Sequence, residues 1–417
     1  MALIVPGGHF RQGSAMKLLY APDTADHPNW GCRFMGDWYR QALVDLDGVR
    51  MRRIGSRWFF ADDANVPAPM AWPDLLAIAQ AVRDGRSKGL AEVLPLLAGC
   101  DLLFMNGENF IRPGTLKGRR LLMLAYLAKV VFGKPVVMAN LSLDLSEPAL
   151  AELVAQVLPL LDEVQVREAV SVEQYRMRVA QARFVEFADV GWTARPAPLN
   201  AWGLMARRNG HFNAWPDRST AFDAGQPYVT LCASSAFVGA GQDGGPAEAF
   251  VALSGRLAEE VAQVVLVAPC EVDAAIMRKV QAATGFPLLG LNLPVAQGID
   301  VLGNARVHVG GRWHPGIFAA TGGTPLVAMS ANTHKMATLM QQLHPEEPVF
   351  DALSLASQVD AVVARAKAQV DAGPAMRAQV LQRAAAMRAR VQGNLAFVQQ
   401  RLAAAADTQS TSASRPT

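Results

Sequence analysis

A chain of 417 residues that is 51% hydrophobic and 18% charged holds more apolar material than one core of ordinary size and too little charge for wholesale disorder. Two globular domains with a cleft between them are expected. A formal net charge of +3 without a Lys/Arg run that would track a phosphate backbone argues against nucleic acid as a partner. The lack of any uncharged apolar stretch of about eighteen residues argues against a transmembrane segment.

The opening, MALIVPGGHF, lacks a basic region leading into a long apolar core, so secretion is not expected. Cys32, Cys100, Cys232 and Cys270 are widely spaced with no CxxC pair, the usage of reduced thiols in a cytoplasm. Along the first half, short β-rich runs predict strands at 17–21, 101–106, 135–139, 163–167 and 183–188. Helical patterns fill 116–132 and 147–161, the second opened by Glu147-Pro148. Residues 191–226 break the period with Pro, Gly, Asn and three Trp and read as an interdomain connection. Alternation resumes with strands at 228–232, 263–268, 287–291, 306–309 and 325–329, and helices near 246–262, 271–283 and from about 315. From 375 the chain reads as one or two long Ala/Arg-rich helices, and 406–417 as a polar, disordered tail.

Strand, helix, strand in series means parallel βαβ units. The fold class is therefore α/β: an N-terminal Rossmann-like domain over 1–190, a connection over 191–226, a second Rossmann-like domain over 227–374, and C-terminal helices over 375–405. Ligands of such sheets sit beyond the carboxyl ends of the strands, at helix N-termini.

At one such end stands GRWHPGIFAATGGTP, residues 311–325. Arg312 and His314 follow a Gly310-Gly311 turn and precede a helix expected to begin at Pro315, where proline's missing N–H costs nothing. The free amides beyond it suit a phosphate or carboxylate, Arg312 adds a bidentate grip, and His314 can carry a proton to the bound anion. A solvated Arg and an N-capping His fit the same turn. Glu108 ends a strand and suits a base that takes a hydroxyl proton, or equally a helix-capping carboxylate. Lys335 and His334, one βα loop from Arg312, suit the same anion. Ser234 and Ser235 suit a phosphate or a simple N-cap. Arg167 ends a strand and faces either a ligand or a neighbouring glutamate, and His308 reads as a packed core histidine.

DVLGNARVHVGGRWHPGIFAATGGTPLVAMSANTHKM resembles the signature of the polysaccharide pyruvyl transferase family, in which an Arg-x-His turn opens a helix and is followed by an Ala-rich turn, Gly-x-Pro, a strand and a Lys. The matching positions are Arg312, His314, Ala319, Ala320, Gly323, Pro325 and Lys335. DLLFMNGENF, FGKPVVMANLSL and DEVQVREAVSVEQYR, the last with Arg167, Glu168 and Ser171, resemble further strands and turns of that family in the right order. NWGCRFMGDWYRQAL, with Asn29 and Gly31, resembles its N-terminal Asn-x-Gly turn. The chain departs from the family at Asn106-Gly107-Glu108-Asn109, where many relatives have three glycines, and at Cys32, where they have Asp.

The resemblance implies a GT-B arrangement and transfer of pyruvate from phosphoenolpyruvate to a sugar hydroxyl as a ketal, without metal or cofactor. In this scheme His314 and Glu108 are catalytic. Arg312, Lys335, His334, Ser234 and Ser235 bind the anionic donor, and Asn29, Asn106 and Arg167 meet a saccharide acceptor, free or lipid-linked. Glu108 with the His314-Pro315 pair also resembles bacterial GT-B sialyltransferases, which implies a second donor class, a nucleotide-activated and CMP-linked acidic sugar. A catalytically idle carbohydrate-binding relative is the third reading. The implied place is the cytoplasm, at the periphery of the inner membrane.

Overall fold

The computed structural model describes residues 15–61, 65–179, 183–206, 222–238 and 245–413. Two six-stranded, all-parallel sheets organise them. The first holds β1 (Met16–Asp23), β2 (Val49–Gly55), β3 (Leu102–Asn106), β4 (Val136–Leu141), β5 (Glu163–Val166) and β6 (Val185–Glu186), in the order β2-β1-β3-β4-β5-β6. The second holds β7 (Tyr228–Ser234), β8 (Gln263–Val267), β9 (Leu288–Leu289), β10 (Val307–Gly311), β11 (Leu326–Met329) and β12 (Val349–Phe350), in the order β12-β11-β10-β7-β8-β9. The central strands β3, β4, β7 and β10 are buried along their whole length, which is why they read as continuous apolar runs rather than alternating ones. In each sheet the chain winds outward from the first strand and then returns to that strand's other side. The switch points lie between β1 and β3 and between β7 and β10, where crevices open beyond the strand ends.

Several boundaries differ from the sequence reading for physical reasons. β2, VRMRRIG, escapes detection because its three arginines mask a strand that is paired only to β1 and exposed along most of its length. The helix expected over 116–132 is α-helical over Leu116–Tyr126 and widens to a π-turn at Leu127–Val131. Gly310 and Gly311 are not a turn but the end of β10. A Cβ at Gly311 would stand 2.4 Å from Ser234 and 2.8 Å from the Ser330 carbonyl, so glycine is needed for strand packing. The following helix accordingly starts earlier than Pro315, spanning Trp313–Thr321 with Arg312 as its cap, and Pro315 occupies the first turn, where no N–H is missed.

The 191–226 stretch contains short helical pieces at Val190–Thr193 and Leu199–Ala206; residues 207–221 lie outside the described residues. Trp192 and Trp202 are buried, so this aperiodic segment contributes to the core. The last helices span Gly373–Val391 and Ala396–Ala413, the second running on into the stretch read as a polar tail. Arg388 donates to the carbonyls of Trp192 at 3.0 Å and Ala194 at 2.7 Å, and Asn394 to that of Ala188 at 3.1 Å, tying the C-terminal end of the chain back across the first half. No helix of the described residues is long and apolar enough to cross a membrane.

One hydrophobic cluster lies on the outer side of each sheet, and a third is shared. It runs from Leu18, Tyr20 and Phe104 of the first sheet through Ile299, Ile317 and Phe318 to Val265 and Val267 of the second. Phe34 and Phe318 stack at 5.2 Å, and Trp30 lies so close over Gly298 that a Cβ there would meet the indole at 2.4 Å. The two halves therefore share a packed interface, and the space left between them is small.

Candidate active site at the strand ends

That space is a cavity of ≈ 290 Å³ at both switch points, walled by the segments that follow β1, β3, β5, β7, β8, β10 and β11. Five cationic side chains line it, Arg112, Lys117, Arg167, Arg312 and Lys335, against two carboxylates, Glu108 and Glu271. Helices beginning at Trp30, Glu271, Trp313 and Lys335 add the positive ends of their dipoles. An anion entering here meets convergent positive potential from both halves.

Arg312 is anchored from behind. Its guanidinium donates to Asp273 Oδ1 through Nε at 3.0 Å and Nη2 at 2.9 Å, and Asp273 is fully buried. Burial opposes the charge on Arg312, but Asp273 outweighs it and raises the guanidinium's pKa further, so this cation stays charged and fixed in direction. Lys335, the first residue of its helix, lacks any such partner: it makes no hydrogen bond or ion pair with a described residue. Burial first, then Arg167, Arg112 and Arg312, bring its pKa down to about 7. A lysine sunk among arginines, with no carboxylate bonded to it among the described residues, is a ligand-binding arrangement, because its charge is left without a close partner.

His314 stands over Gly31. A Cβ on that residue would lie 2.0 Å from Nδ1, so Gly31 leaves room for the imidazole. The other ring nitrogen, Nε2, faces Asp189 Oδ2 at 3.5 Å. Asp189 is fully buried and also receives Arg167 at 2.5 Å and Trp313 Nε1 at 3.0 Å on Oδ2, with the Gly191 amide at 2.6 Å on Oδ1. Burial pushes this carboxyl up, but Arg167, His314 and Trp313 together hold it well below the usual carboxylate range. His314 thus has an ionised carboxylate behind it that fixes the orientation of its ring.

Glu108 lies in the opposite wall, only 4% exposed. Its carboxylate accepts from Thr24 Oγ1 at 2.8 Å, Asn106 Nδ2 at 3.0 Å and Cys32 Sγ at 3.1 Å. Its φ of +42° puts a non-glycine residue in the left-handed region, a conformation that costs energy and persists only where the surroundings enforce it. The three donors and the strained backbone aim one carboxylate at the cavity.

Of the residues singled out in the sequence, Glu108, Arg167, Arg312, His314, Lys335, Ser235 and Asn29 meet around this cavity. The others serve different ends. His334 turns away to Glu168 Oε1 at 3.1 Å, a bridge between the halves. Ser234 is fully buried, donating to the Ser330 carbonyl and accepting from the Ala236 amide at 3.0 Å, which makes it a cap. Asn106 supports Glu108 from outside the cavity. Asn29 lines the wall but spends its Oδ1 on the Cys32 amide at 3.2 Å as the helix cap. His308 is the packed core residue expected, bound to Thr230 Oγ1 at 3.0 Å, its pKa lowered by burial to about 3.

Asp189, Asp273, Arg112 and Lys117 went unread. Asp273 looks like an ordinary acidic residue in a helix's first turn, and Asp189 hides in an aperiodic stretch. Lys117 did carry a signal: a lysine in the first turn of Leu116–Tyr126 opposes the helix dipole, a placement that invites another reason for it.

The fold and the switch-point cavity define the class: a GT-B-like, two-sheet α/β protein. Solved structures agree on that architecture. The chain is similar to α,α-trehalose 6-phosphate synthase from Burkholderia multivorans (TM-score 0.53, 13% identity, 97% of this chain and 100% of that one). It is also similar to UDP-GlcNAc 2-epimerase from Neisseria meningitidis bound to UDP-GlcNAc (TM-score 0.52, 9% identity, 93% and 99%). A putative UDP-N-acetylglucosamine 2-epimerase from Listeria monocytogenes matches with TM-score 0.52 at 11% identity over 97% of this chain and 99% of that one. No family model matches the sequence, and no curated protein does. At these identities the likeness establishes the fold alone.

Proposed function

We propose that this chain is a pyruvyl transferase of surface-polysaccharide synthesis, moving pyruvate from phosphoenolpyruvate to a saccharide diol as a ketal. The observation that carries the reading is Lys335, uncompensated beside Arg312 in a cavity whose cations outnumber its carboxylates. The size of the cavity, ≈ 290 Å³, is at the lower edge of ligand pockets and suits a compact donor bearing a carboxylate and a phosphate.

Arg312 and Lys335 hold these two groups, and Ser235 stands beside them. His314, as imidazolium backed by Asp189, gives its proton to the methylene carbon, so that the carbon bearing the phosphate becomes electrophilic. A sugar hydroxyl adds there as Glu108 takes its proton. The carbon–oxygen bond to phosphate breaks, inorganic phosphate departs toward the helix N-termini, and the second hydroxyl closes the ketal. Of the two hydroxyl protons, one replaces that given up by His314 and the other leaves with phosphate. No metal or cofactor is needed for these steps. The reaction belongs to the cytoplasm, where the four free cysteines remain reduced, and a lipid-linked acceptor brings it to the membrane's inner surface.

A nucleotide-activated sugar is the second reading, favoured by the buried, strained Glu108 as an acceptor base and by the UDP-GlcNAc in one fold neighbour. A thermal-shift titration with phosphoenolpyruvate, CMP and UDP separates them, since a ligand at about 100 times its Kd stabilises the native state by about 2.7 kcal/mol. The expected result is a rise with phosphoenolpyruvate that disappears in Arg312→Ala. A rise with a nucleotide and none with phosphoenolpyruvate overturns the pyruvyl reading.

A further inference from the structure

The donor scheme uses cations of the second half and leaves two on the first half unexplained. Arg112 and Lys117 flank the turn IRPGTLK and line the same cavity. The side chain of neither makes a hydrogen bond or ion pair with a described residue. The Lys117 ammonium rests 4.4 Å over the Phe60 ring and 5.3 Å from that of Phe110, and the His27 ring packs against Phe60 at 4.0 Å, tilted by 36°. Burial lowers the pKa of both cations, and Arg112 adds to the effect on Lys117. Asp144 and Glu108 offset this only in part and from a distance, and two adjacent like charges with no carboxylate bonded to either among the described residues are unfavourable when the site is empty. By contrast, Arg167 and Arg312 are neutralised by Asp189 and Asp273.

We propose that Arg112 and Lys117 form a second anion subsite, on the acceptor side, and that the acceptor is therefore a negatively charged saccharide, a sugar phosphate. The subsite rests on the assignment of the donor to Arg312 and Lys335. The charges fit that division: a donor with one carboxylate and one phosphate occupies the second half's cations, and the first half's pair requires another anion. Guanidinium and ammonium grip the phosphate, beside the mutually inclined rings of Phe60, Phe110 and His27 that line the same cavity. Charge-assisted bonds of this kind are each worth about tenfold or more in affinity.

The test is calorimetric titration of glucose 1-phosphate into the full-length protein saturated with phosphoenolpyruvate, with glucuronate and methyl glucoside as parallel arms. Binding of glucose 1-phosphate, weakened at least tenfold in the double variant Arg112→Gln/Lys117→Met while that variant still binds phosphoenolpyruvate normally, is expected; retained donor binding also shows that the variant is folded. Glucuronate binding more tightly than glucose 1-phosphate replaces phosphate by carboxylate as the recognised group and overturns the sugar-phosphate assignment. Competition between glucose 1-phosphate and phosphoenolpyruvate, equal binding of methyl glucoside, or loss of phosphoenolpyruvate affinity in the double variant overturns the separate subsite. A wild-type protein that ignores phosphoenolpyruvate refutes the donor assignment instead, and the glucose 1-phosphate comparison between wild type and double variant then still reports on Arg112 and Lys117.

Discussion

Replacing Asp189 by Asn removes one charge from a network in which almost nothing is exposed: Asp189 is at 0% and Arg167 at 2%. The guanidinium keeps its 2.8 Å bond to Ser142 Oγ but loses the one carboxylate that pairs with it among the described residues. Leaving one member of a buried pair unpaired costs about 3–5 kcal/mol, and the remaining amide oxygen offsets part of this, so a loss of about 3 kcal/mol is expected in urea unfolding at pH 7. The pH dependence has a definite sign. Asp189 has its pKa depressed in the folded protein, so its stabilisation is fully present above the unfolded value of about 3.9 and is lost as pH falls below it. The gap between wild type and Asp189→Asn is therefore constant from pH 7 to about pH 5 and narrows below about pH 4. Adding Arg167→Met to the variant removes the orphaned charge and recovers part of the loss. A gap under 1 kcal/mol at pH 7, or a double variant less stable than Asp189→Asn, refutes the view that this pair is a coupled buried unit.

Lys335→Met removes the cation whose pKa is lowered in the fold to about 7. A lysine lowered on folding works against the native state below its unfolded pKa of about 10.4, so the variant melts about 2–4 °C or more above wild type at pH 7, the difference fading toward pH 10.5, while phosphoenolpyruvate no longer raises its melting temperature. A variant that melts lower than wild type at pH 7 contradicts the burial argument. Gly31→Ala places a Cβ 2.0 Å from His314 Nδ1 and forces the ring aside; with displacements near 1 Å costing about 100-fold, transfer falls by about that factor while donor binding persists, and wild-type turnover in the variant removes His314 from the chemistry.

Arg312, His314 and Glu108 were legible because parallel sheets expose the residues just past their strands, and those strands were apolar enough to be located from sequence. The residue types alone misled where one side chain serves two trades. Ser234 and Ser235 are adjacent, yet a register that packs Gly311 against Ser234 buries the first as a cap and leaves only the second on the cavity. His334 and Lys335 diverge because Glu168, from the other half of the chain, captures the imidazole. Such long-range partners leave no trace in local pattern, and Asp189 is the extreme case: its donors are Arg167, Gly191 and Trp313, His314 faces it at 3.5 Å, and its own neighbours in sequence have no period at all.

The position of those long-range bonds explains how a site split between two sheets keeps its geometry. The shared apolar cluster holds the halves together, but hydrophobic contact is non-directional and tolerates sliding. Buried charge pairs add little net stability, since desolvation consumes most of their attraction, yet a misplaced one is expensive. Arg167 and Asp189 come from the first half, Trp313 and His314 from the second, and Glu168 meets His334 across the same seam. Any slip between the halves leaves at least one of these charges buried without its partner. We infer a division of labour in which Trp30, Phe34 and Phe318 supply the adhesion and the polar bridges supply the register. His314 and Glu108, on opposite walls, are then held at a fixed separation by bonds that neither of them makes alone.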